Sequence, residues 1–191
     1  MTEARDIIFV RHGETAWNVE RRLQGHGDSA LTARGRAQAA DLGAALRSRG
    51  LMDGRAVRIS PSGRCRRTAD LMRVRGSIDD RLREIGLGSW EGRLHDDLAR
   101  AHPELFLDET GHPFDRLWAA PGGEGRDAFT DRLCRVLDDI DGPALLVTHG
   151  IASLVMRGLA LGLPYDDWPD QPRGQGVAFR LLGGTVTRIA P

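Results

Sequence analysis

Lysine is absent from this chain, in which all 27 basic residues are arginine. Without a lysine amine, the protein can use neither Schiff-base chemistry nor a lysine nucleophile. Net charge is also absent, because 27 acidic residues balance the arginines and give a formal net charge of zero at pH 7. Proteins that bind nucleic acid or anionic membranes usually carry a basic excess. We therefore expect neither kind of partner, and any anion-binding site must be local.

Cysteine is scarce, and long apolar runs are missing. The two cysteines, Cys65 and Cys134, are too few for a disulfide framework, so we interpret them as packing residues. No stretch approaches the roughly 20 apolar residues of a membrane span, and the N-terminal residues lack the apolar core of a signal peptide. These absences predict a cytoplasmic protein. Because no histidine, cysteine and aspartate cluster has convincing metal-site spacing, we also expect no metal and no cofactor.

Periodic apolar patterns are what the sequence does contain. With 191 residues, of which 40% are hydrophobic, the chain is long enough for one well-packed domain, residues 1–191. Apolar runs typical of buried strands alternate with helical patterns, and the chain closes with a hairpin around Gly183 and Gly184. The predicted strands lie at about 6–10, 56–59 and 144–150, and the predicted helices at about 33–50, 64–73, 124–141 and 151–162.

This alternation of strands and helices predicts an α/β fold. Strands that are joined through helices pair in parallel, so we expect a three-layer sandwich with a mainly parallel central sheet and helices on both faces. The C-terminal hairpin should add an antiparallel edge. The stretch from Gly92 to Pro121 is less regular, and we expect it to form short helices outside the sheet, as a lid-like insertion.

Two of the predicted strands end in a histidine. Residues 7–15 read IIFVRHGET, and residues 144–150 read ALLVTHG. The carboxyl ends of parallel strands open onto a common crevice. Arg11, His12 and His149 lie at such ends, and Arg64 opens the helix that follows a third strand. The sequence therefore predicts that two arginines and two histidines converge.

These four side chains together suit a phosphoryl group. Guanidinium groups match phosphate oxygens bidentately, and the helix N-termini after Gly13, Pro61 and Gly150 would add N–H donors. An unprotonated imidazole nitrogen can attack phosphorus if an acceptor holds the other ring nitrogen. His149 taken alone could equally be a core histidine that is bonded to a backbone carbonyl.

Six motifs in order make the chain resemble the histidine phosphatase superfamily, also called the phosphoglycerate mutase-like family. RHGET, with Asn18 beyond it, resembles the nucleophile loop of that family. The motifs that follow are QGHGDSALTARGRAQA from Gln24, SPSGRCRRTA from Ser60, RLREIGLGSWEG from Arg81, then PGGE and VTHG. One departure is visible, because family members often have serine after PGGE where this chain has Gly125.

The resemblance assigns roles to the matching residues. It makes His12 the nucleophile that becomes phosphohistidine, and Glu84 the acid that protonates the leaving oxygen and the base that then activates water. It also implies that Arg11, Arg64 and His149 hold the phosphoryl oxygens while Asn18 assists. The predicted catalytic residues are Arg11, His12, Arg64, Glu84 and His149, and the predicted substrate-binding residues are Arg11, Asn18, Gln24, Arg64, His149 and Gly150.

Some assignments stay open at this point. Glu14 and Glu91 lie in neighbouring motifs and are alternatives to Glu84 as the acid. Four further histidines match no catalytic position, so we expect surface or lid residues, with His26 the first candidate to touch substrate. These are His26, His95, His102 and His112.

The resemblance implies a metal-independent phosphatase that hydrolyses phosphate monoesters. Phosphoglycerate mutase-type transfer is the alternative within enzymes, and a module that only binds phosphorylated ligands is the non-catalytic alternative. A mutase must shield phosphohistidine from water, whereas this compact chain offers only about thirty irregular residues as cover and no tail beyond its hairpin, which favours hydrolysis.

The substrate and the assembly are less defined by the sequence. We expect a small phosphorylated molecule as the partner, with sugar phosphates, alpha-ribazole phosphate, phosphoserine and phosphoproteins all open. The oligomeric state is also open, with a homodimer as one option.

Overall fold

The computed structural model describes residues 5–106 and 112–191, and in these residues six strands form one sheet. The strands are β1 (Asp6–Arg11), β2 (Ala56–Ile59), β3 (Ser77–Ile78), β4 (Ala144–Thr148), β5 (Ala178–Leu182) and β6 (Thr185–Ile189). The α-helices are α1 (Ala16–Val19), α2 (Ala33–Ser48), α3 (Gly63–Met72), α4 (His95–Ala101), α5 (Pro103–Phe106), α6 (Asp115–Trp118), α7 (Arg126–Asp138) and α8 (Gly150–Leu161). Short 3₁₀ helices cover Asp80–Leu82, Gly88–Trp90 and Tyr165–Asp170.

The sheet has the strand order β3-β2-β4-β1-β5-β6. Strands β3, β2, β4 and β1 pair with one another in parallel, and β5 and β6 are antiparallel to their neighbours. The predicted parallel sheet with an antiparallel C-terminal edge is therefore confirmed. In the hairpin, Gly183 and Gly184 both have positive φ, +56° and +77°, as a two-residue type I′ turn requires.

Alternating residues of the central strands pack into two separate cores, one on each face of the sheet. Ile7 and Phe9 of β1 pack with buried residues of α7 and α8. Ile8 and Val10 point the other way and pack with buried residues of α2 and α3. This alternation places helices on both faces, and it confirms the predicted three-layer α/β sandwich.

Helix α2 begins where its capping residue predicts. The Thr32 side chain accepts a hydrogen bond from the Gly35 amide, 2.9 Å away, and so satisfies one of the free N–H groups of the first turn. The helix ends at Ser48, two residues before Gly50, which has a φ of +64°.

Strand β3 is an element that the apolar pattern did not predict. It has only two residues, Ser77 and Ile78, and both are exposed, so no buried run marks it in the sequence. The irregular middle of the chain contains the expected short helices α4, α5 and α6, although residues 107–111 of the predicted lid lie outside the described residues. The single domain of residues 1–191 and the lid function of residues 92–121 stay predictions.

Within the described part of the chain, no helix combines the length and the apolar character that crossing a membrane requires.

Candidate active site

The two predicted histidines meet at the carboxyl ends of β1 and β4. Arg11 is in register with Thr148 across these paired strands, so His12 and His149 are the next residue on each strand. Their rings are edge to face, with centroids 5.4 Å apart. A cavity of about 240 Å³ opens here. It is lined by six of the predicted catalytic or binding residues: Arg11, His12, Asn18, Gln24, Arg64 and Glu84.

His12 is buried, and its partners define its protonation. The Nδ1 atom lies 2.8 Å from the carbonyl oxygen of Gly13, which can only accept, so Nδ1 carries the hydrogen. Burial, together with the charges of Arg11 and Arg64, lowers the pKa of His12 well below its ordinary value. The ring is therefore neutral, and its Nε2 atom has a free lone pair.

Glycines let the loop after β1 approach two helices closely. A Cβ atom on Gly13 would lie 2.2 Å from the carbonyl oxygen of Gly35 in α2, so no larger residue fits. The Gly13 amide also donates to the Thr68 hydroxyl of α3, 3.0 Å away. These contacts fix the backbone that orients the His12 ring.

His149 is fully buried and is held through both ring nitrogens. Its Nδ1 accepts from Arg64 Nε at 3.3 Å, so the hydrogen of the neutral ring is on Nε2, which lies 2.8 Å from the Ser60 hydroxyl. Burial and the Arg64 charge lower the pKa of His149 well below its ordinary value. One of these two partners must move if His149 is to contact a phosphoryl oxygen.

Arg64 is also buried, and most of its hydrogen-bond donors are used by the protein. Nη1 donates to the Gly27 carbonyl at 2.5 Å and to Asp28 at 3.1 Å, and Nη2 donates to the Gly25 carbonyl at 2.9 Å. With Nε directed to His149, one hydrogen on Nη2 remains. Arg64 therefore supplies positive charge and at most one direct contact to a ligand.

Arg11 differs, because its guanidinium has no hydrogen-bond partner among residues 5–106 and 112–191, and its Nε is buried. It packs over Gly150, where an added Cβ would lie 3.3 Å from the guanidinium carbon. Burial lowers the pKa of Arg11, Glu84 opposes this effect, and Arg64 adds to it. A partly buried cation without a partner is suited to an anionic ligand.

Glu84 lies at the N-terminus of α8. Its carboxylate accepts hydrogen bonds from the amides of Ile151 at 3.0 Å and Ala152 at 2.9 Å. The other candidate carboxylates are directed elsewhere. Glu91 accepts from the amides of His26 and Leu87 at 2.9 and 3.0 Å.

Glu14 faces the start of α2, where it accepts from the Thr32 hydroxyl at 2.8 Å. Of the three carboxylates considered from the sequence, only Glu84 lines the cavity that contains His12.

Asn18 and Gln24 line the cavity while they support its wall. Asn18 forms a capping box with Thr15 at the start of α1, and its Oδ1 also accepts from Gln175 Nε2 at 3.0 Å. Gln24 donates to the Thr15 hydroxyl at 2.9 Å, and its buried Oε1 has no partner within the described residues. Gly150 lies beneath Arg11 and lines an adjoining cavity.

Residues of the predicted lid segment line this cavity. Its lining residues from that segment include Pro113, Phe114, Arg116 and Leu117, together with His95. The segment is anchored through Tyr165, whose ring stacks on His112 at 3.7 Å and whose hydroxyl accepts from Trp118 Nε1 at 2.6 Å. His26, the histidine expected first to touch substrate, is not among the lining residues, whereas His95 is.

Several residues of the site were not predicted from the sequence. Arg132 of α7 donates to the backbone carbonyls of Arg83 at 2.8 Å and Glu84 at 2.9 Å, and so holds the segment that carries the Glu84 carboxylate. Arg173 lines the cavity, and Gln175 donates to the His12 carbonyl at 3.3 Å. Ser60 had a signal, because it opens the SPSGR motif. The other three had none, because no motif singles them out among the polar residues of the chain.

Two further observations concern the rest of the surface. An open groove of about 710 Å³ lies beside β3, but its lining contains no histidine, cysteine or serine. In the described part of the chain, no group of three or more histidine, cysteine, aspartate or glutamate side chains could hold a metal ion.

Comparison with known proteins gives a family match and several relatives. The model of the histidine phosphatase superfamily, branch 1, matches residues 7–178. A protein of Salmonella paratyphi B named as a probable phosphoglycerate mutase, GpmB, is 38% identical over 193 aligned residues, which cover 96% of this chain and 83% of the relative.

Solved structures are similar over nearly the whole chain. The crystal structure of TTHB049 from Thermus thermophilus has 33% identity and a TM-score of 0.73, and the match covers 97% of this chain and 99% of that one. An Escherichia coli K-12 protein described as a candidate alpha-ribazole-5'-P phosphatase has 26% identity and a TM-score of 0.79, with 98% and 96% of the two chains covered.

Proposed function

This chain belongs to the histidine phosphatase superfamily, branch 1, and we propose that it hydrolyses small phosphate monoesters through a phosphohistidine at His12. The observation that carries the proposal is the state of His12. It is a neutral imidazole whose Nδ1 is held by Gly13, and it shares a cavity with Arg11, a cation that has no partner among the described residues. A nucleophile and an anion-binding group therefore lie side by side.

The first chemical step follows from these positions. Arg11 and the remaining Arg64 hydrogen bind the phosphoryl oxygens and neutralise their charge. The lone pair of His12 Nε2 attacks phosphorus, so that a P–N bond forms while the bond to the leaving oxygen breaks. For this step Glu84 must enter as the carboxylic acid; it gives its proton to the leaving oxygen and becomes the carboxylate.

The second step regenerates the enzyme. Water attacks the phosphorus, the P–N bond breaks, and Glu84 accepts the proton that water releases. The Ile151 and Ala152 amides donate to the Glu84 carboxylate and hold it in a fixed orientation beside the cavity, from which it can accept this proton. Inorganic phosphate leaves, and His12 is neutral again.

The size of the cavity supports hydrolysis over transfer of the phosphoryl group to a second substrate. The cavity of about 240 Å³ can hold a phosphoryl group and further water, since one water takes about 30 Å³ of liquid volume. The name of the GpmB relative favours the alternative, in which the phosphoryl group returns to a phosphoglycerate. The fate of the phosphoryl group therefore has to be measured directly.

The test is phosphate release from a panel of phosphorylated metabolites by the purified protein, with His12→Ala as the inactive variant. His102→Ala is the matched control, because His102 packs on Trp90 and does not line the cavity. We expect release by the wild type and by His102→Ala only. Equal release by His12→Ala would contradict the proposal, and a protein that binds phosphate esters without turnover would be a binding module.

Two additions to this assay test the finer points. Arginine side chains already neutralise the charge of the phosphoryl group, so activity should persist in EDTA. Activity that is lost in EDTA and restored by magnesium or zinc would contradict metal independence. With 3-phosphoglycerate and added 2,3-bisphosphoglycerate, we expect phosphate release to exceed isomerisation. Faster isomerisation would identify a mutase instead.

A further inference from the structure

A second cavity of about 180 Å³ adjoins the candidate active site. The two cavities share part of their walls, because Arg11, Glu84, Ile151 and Arg173 line both. We call the second one the annex cavity. The rest of its wall is formed by one face of α8, the loop before β5 and the start of β5, and it includes Ser153, Arg157, Gly174 and Phe179.

Arg157 is a buried cation in this wall, with only 1% of its surface exposed. Its Nε donates to the Ser153 carbonyl at 3.2 Å, and its Nη2 donates to the Pro172 carbonyl at 2.9 Å. Its Nη1 is buried and has no hydrogen-bond partner among residues 5–106 and 112–191, and no carboxylate of these residues forms an ion pair with Arg157. The guanidinium packs over the Phe179 ring, 4.2 Å from its centroid.

A second arginine lies close enough to repel it. Burial and the nearby Arg173 lower the pKa of Arg157 to about 10. Three arginines line the annex cavity against one carboxylate, and that carboxylate, Glu84, already accepts from two α8 amides. Uncompensated positive charge inside a protein is unfavourable unless an anion neutralises it.

We propose that the annex cavity binds a second anionic group of the substrate, a carboxylate or a second phosphate, between Arg157 and Arg173. This inference rests on the proposed function, because it assumes that the first phosphoryl group is bound at His12. It restricts the substrate class to phosphate monoesters that carry another negative charge.

The geometry of α8 suits such a substrate. Gly150, Ser153, Leu154 and Arg157 line the annex cavity at the spacing of one helix face. The seven-residue step from Gly150 to Arg157 corresponds to about 10 Å along the axis, and the Arg157 side chain turns back over Ser153, towards the His12 end. The second charge should therefore lie within a few bonds of the reacting ester.

Matched substrate pairs test this proposal. The carboxylate pair is 3-phosphoglycerate with glycerol 3-phosphate, and the phosphate pair is fructose 1,6-bisphosphate with fructose 6-phosphate. We expect the wild type to prefer the more anionic member of at least one pair about tenfold or more in kcat/KM, as charge-assisted hydrogen bonds allow. The pair that shows the preference identifies the anion. No preference in either pair would overturn the proposal.

Variants locate the effect. Arg173→Ala, at an exposed residue, and Arg157→Leu, at a buried one, should each reduce that preference about tenfold. The matched control is Arg75→Ala, because Arg75 is exposed beside β3, at the opposite edge of the sheet from β5 and β6. It should keep the wild-type preference. A preference that persisted in both Arg173→Ala and Arg157→Leu would contradict the assignment.

Binding to the inactive His12→Ala variant separates this inference from the proposed function. Calorimetry with the intact substrates should still show about tenfold tighter binding of the more anionic member, and Arg173→Ala in the same background should abolish the difference. If the His12→Ala variant binds the more anionic member more tightly but the wild type hydrolyses neither member, only the proposed hydrolysis is contradicted. If the wild type hydrolyses the substrates but the His12→Ala variant binds both members equally, only the proposed role of the annex cavity is contradicted.

Discussion

Arg132→Lys is the substitution that most directly tests whether Glu84 must be held in place. Arg132 makes five hydrogen bonds at the edge of the site. Two go to the carboxylate of Glu124, at 2.5 and 2.9 Å, and three go to the carbonyls of Arg81, Arg83 and Glu84, at 2.5, 2.8 and 2.9 Å. The Arg132 and Glu124 side chains are mostly buried, with 15% and 17% exposed.

The size of the effect follows from the number of donors. A lysine ammonium has three hydrogens, so at least two of these five bonds are lost although the charge is kept. At about 1 kcal/mol for each bond, and more where a charge takes part, the free energy of unfolding should fall by about 2 to 4 kcal/mol. The carbonyl of Glu84 is then free to move, and its carboxylate moves with it.

The kinetic consequence depends on the leaving group. Misplacing a catalytic group by about 1 Å can lower the rate about 100-fold. We expect Arg132→Lys to lower kcat/KM for an alkyl phosphate between about 10- and 100-fold. The loss for p-nitrophenyl phosphate should be below about threefold, because nitrophenolate leaves with little help from an acid.

The control is Arg135→Lys, one turn further along α7, where the arginine side chain is exposed and its Nε donates only to the carbonyl of Asp131. It should leave both substrates and the stability unchanged. Assays are run below the melting temperature of each variant. Equal losses on the alkyl and aryl substrates in Arg132→Lys would refute the reasoning, since they would show that Arg132 acts on binding or on folding and not through Glu84.

Three further predictions concern the nucleophile, the acid and the start of β1. His12→Ala should abolish acid-labile, base-stable labelling by a phosphorylated substrate, and a label that persisted would overturn the assignment. Glu84→Gln should slow alkyl phosphates far more than p-nitrophenyl phosphate, and equal losses would indicate a binding role. Hydrogen bonds and charge from Arg180 and Arg55 lower the pKa of Asp6 to about 2, from 3.8. A carboxyl group whose pKa is lower in the folded than in the unfolded protein stabilises the fold at pH values above its unfolded pKa. Asp6→Asn should therefore reduce the free energy of unfolding by about 2 kcal/mol at pH 7. Chemical denaturation should show the difference shrinking as the pH falls from about 4 to 2, and a constant difference would exclude the linkage.

Much of the fold could be predicted because its strands are buried on both faces. The apolar runs of β1 and β4 have no alternation with polar residues, as is typical of strands covered by helices on both sides. The Thr32 cap and the Gly183 and Gly184 turn are local signals that need no tertiary context. Strand β3 has neither a buried apolar run nor a local capping or turn signal, because its exposed residues join the sheet only through the edge of β2.

The convergence of the site could also be predicted, because topology alone brings strand ends together. Arg11 and His12 lie at the end of β1, and His149 follows its parallel neighbour β4. The structure brings these residues into one cluster with Arg64 and Glu84. Their roles in catalysis stay predictions, to be decided by the experiments above.

The contacts that set the chemistry could not be predicted, because they join residues far apart in sequence. The tautomer of His149 depends on Ser60 and Arg64, which are 89 and 85 residues away. The position of Glu84 depends on Arg132, 48 residues away, through a backbone carbonyl that no sequence pattern marks. Such contacts exist only once the sheet and helices are packed.

The zero net charge of the chain conceals how charge is distributed in the fold. Many acidic side chains form ion pairs away from the site, as Asp6 does with Arg55 and Arg180. Arg11 and Arg157 form no such ion pair among the described residues, and Glu84 offsets the charge of Arg11 only in part, so the site contains positive charge that is incompletely neutralised. Removing that charge from water costs free energy, and a bound anion would offset the cost by its attraction to the arginines. The proposed affinity for a phosphorylated ligand would therefore draw on the same electrostatic free energy that limits the stability of the unliganded site, and composition alone does not reveal this link.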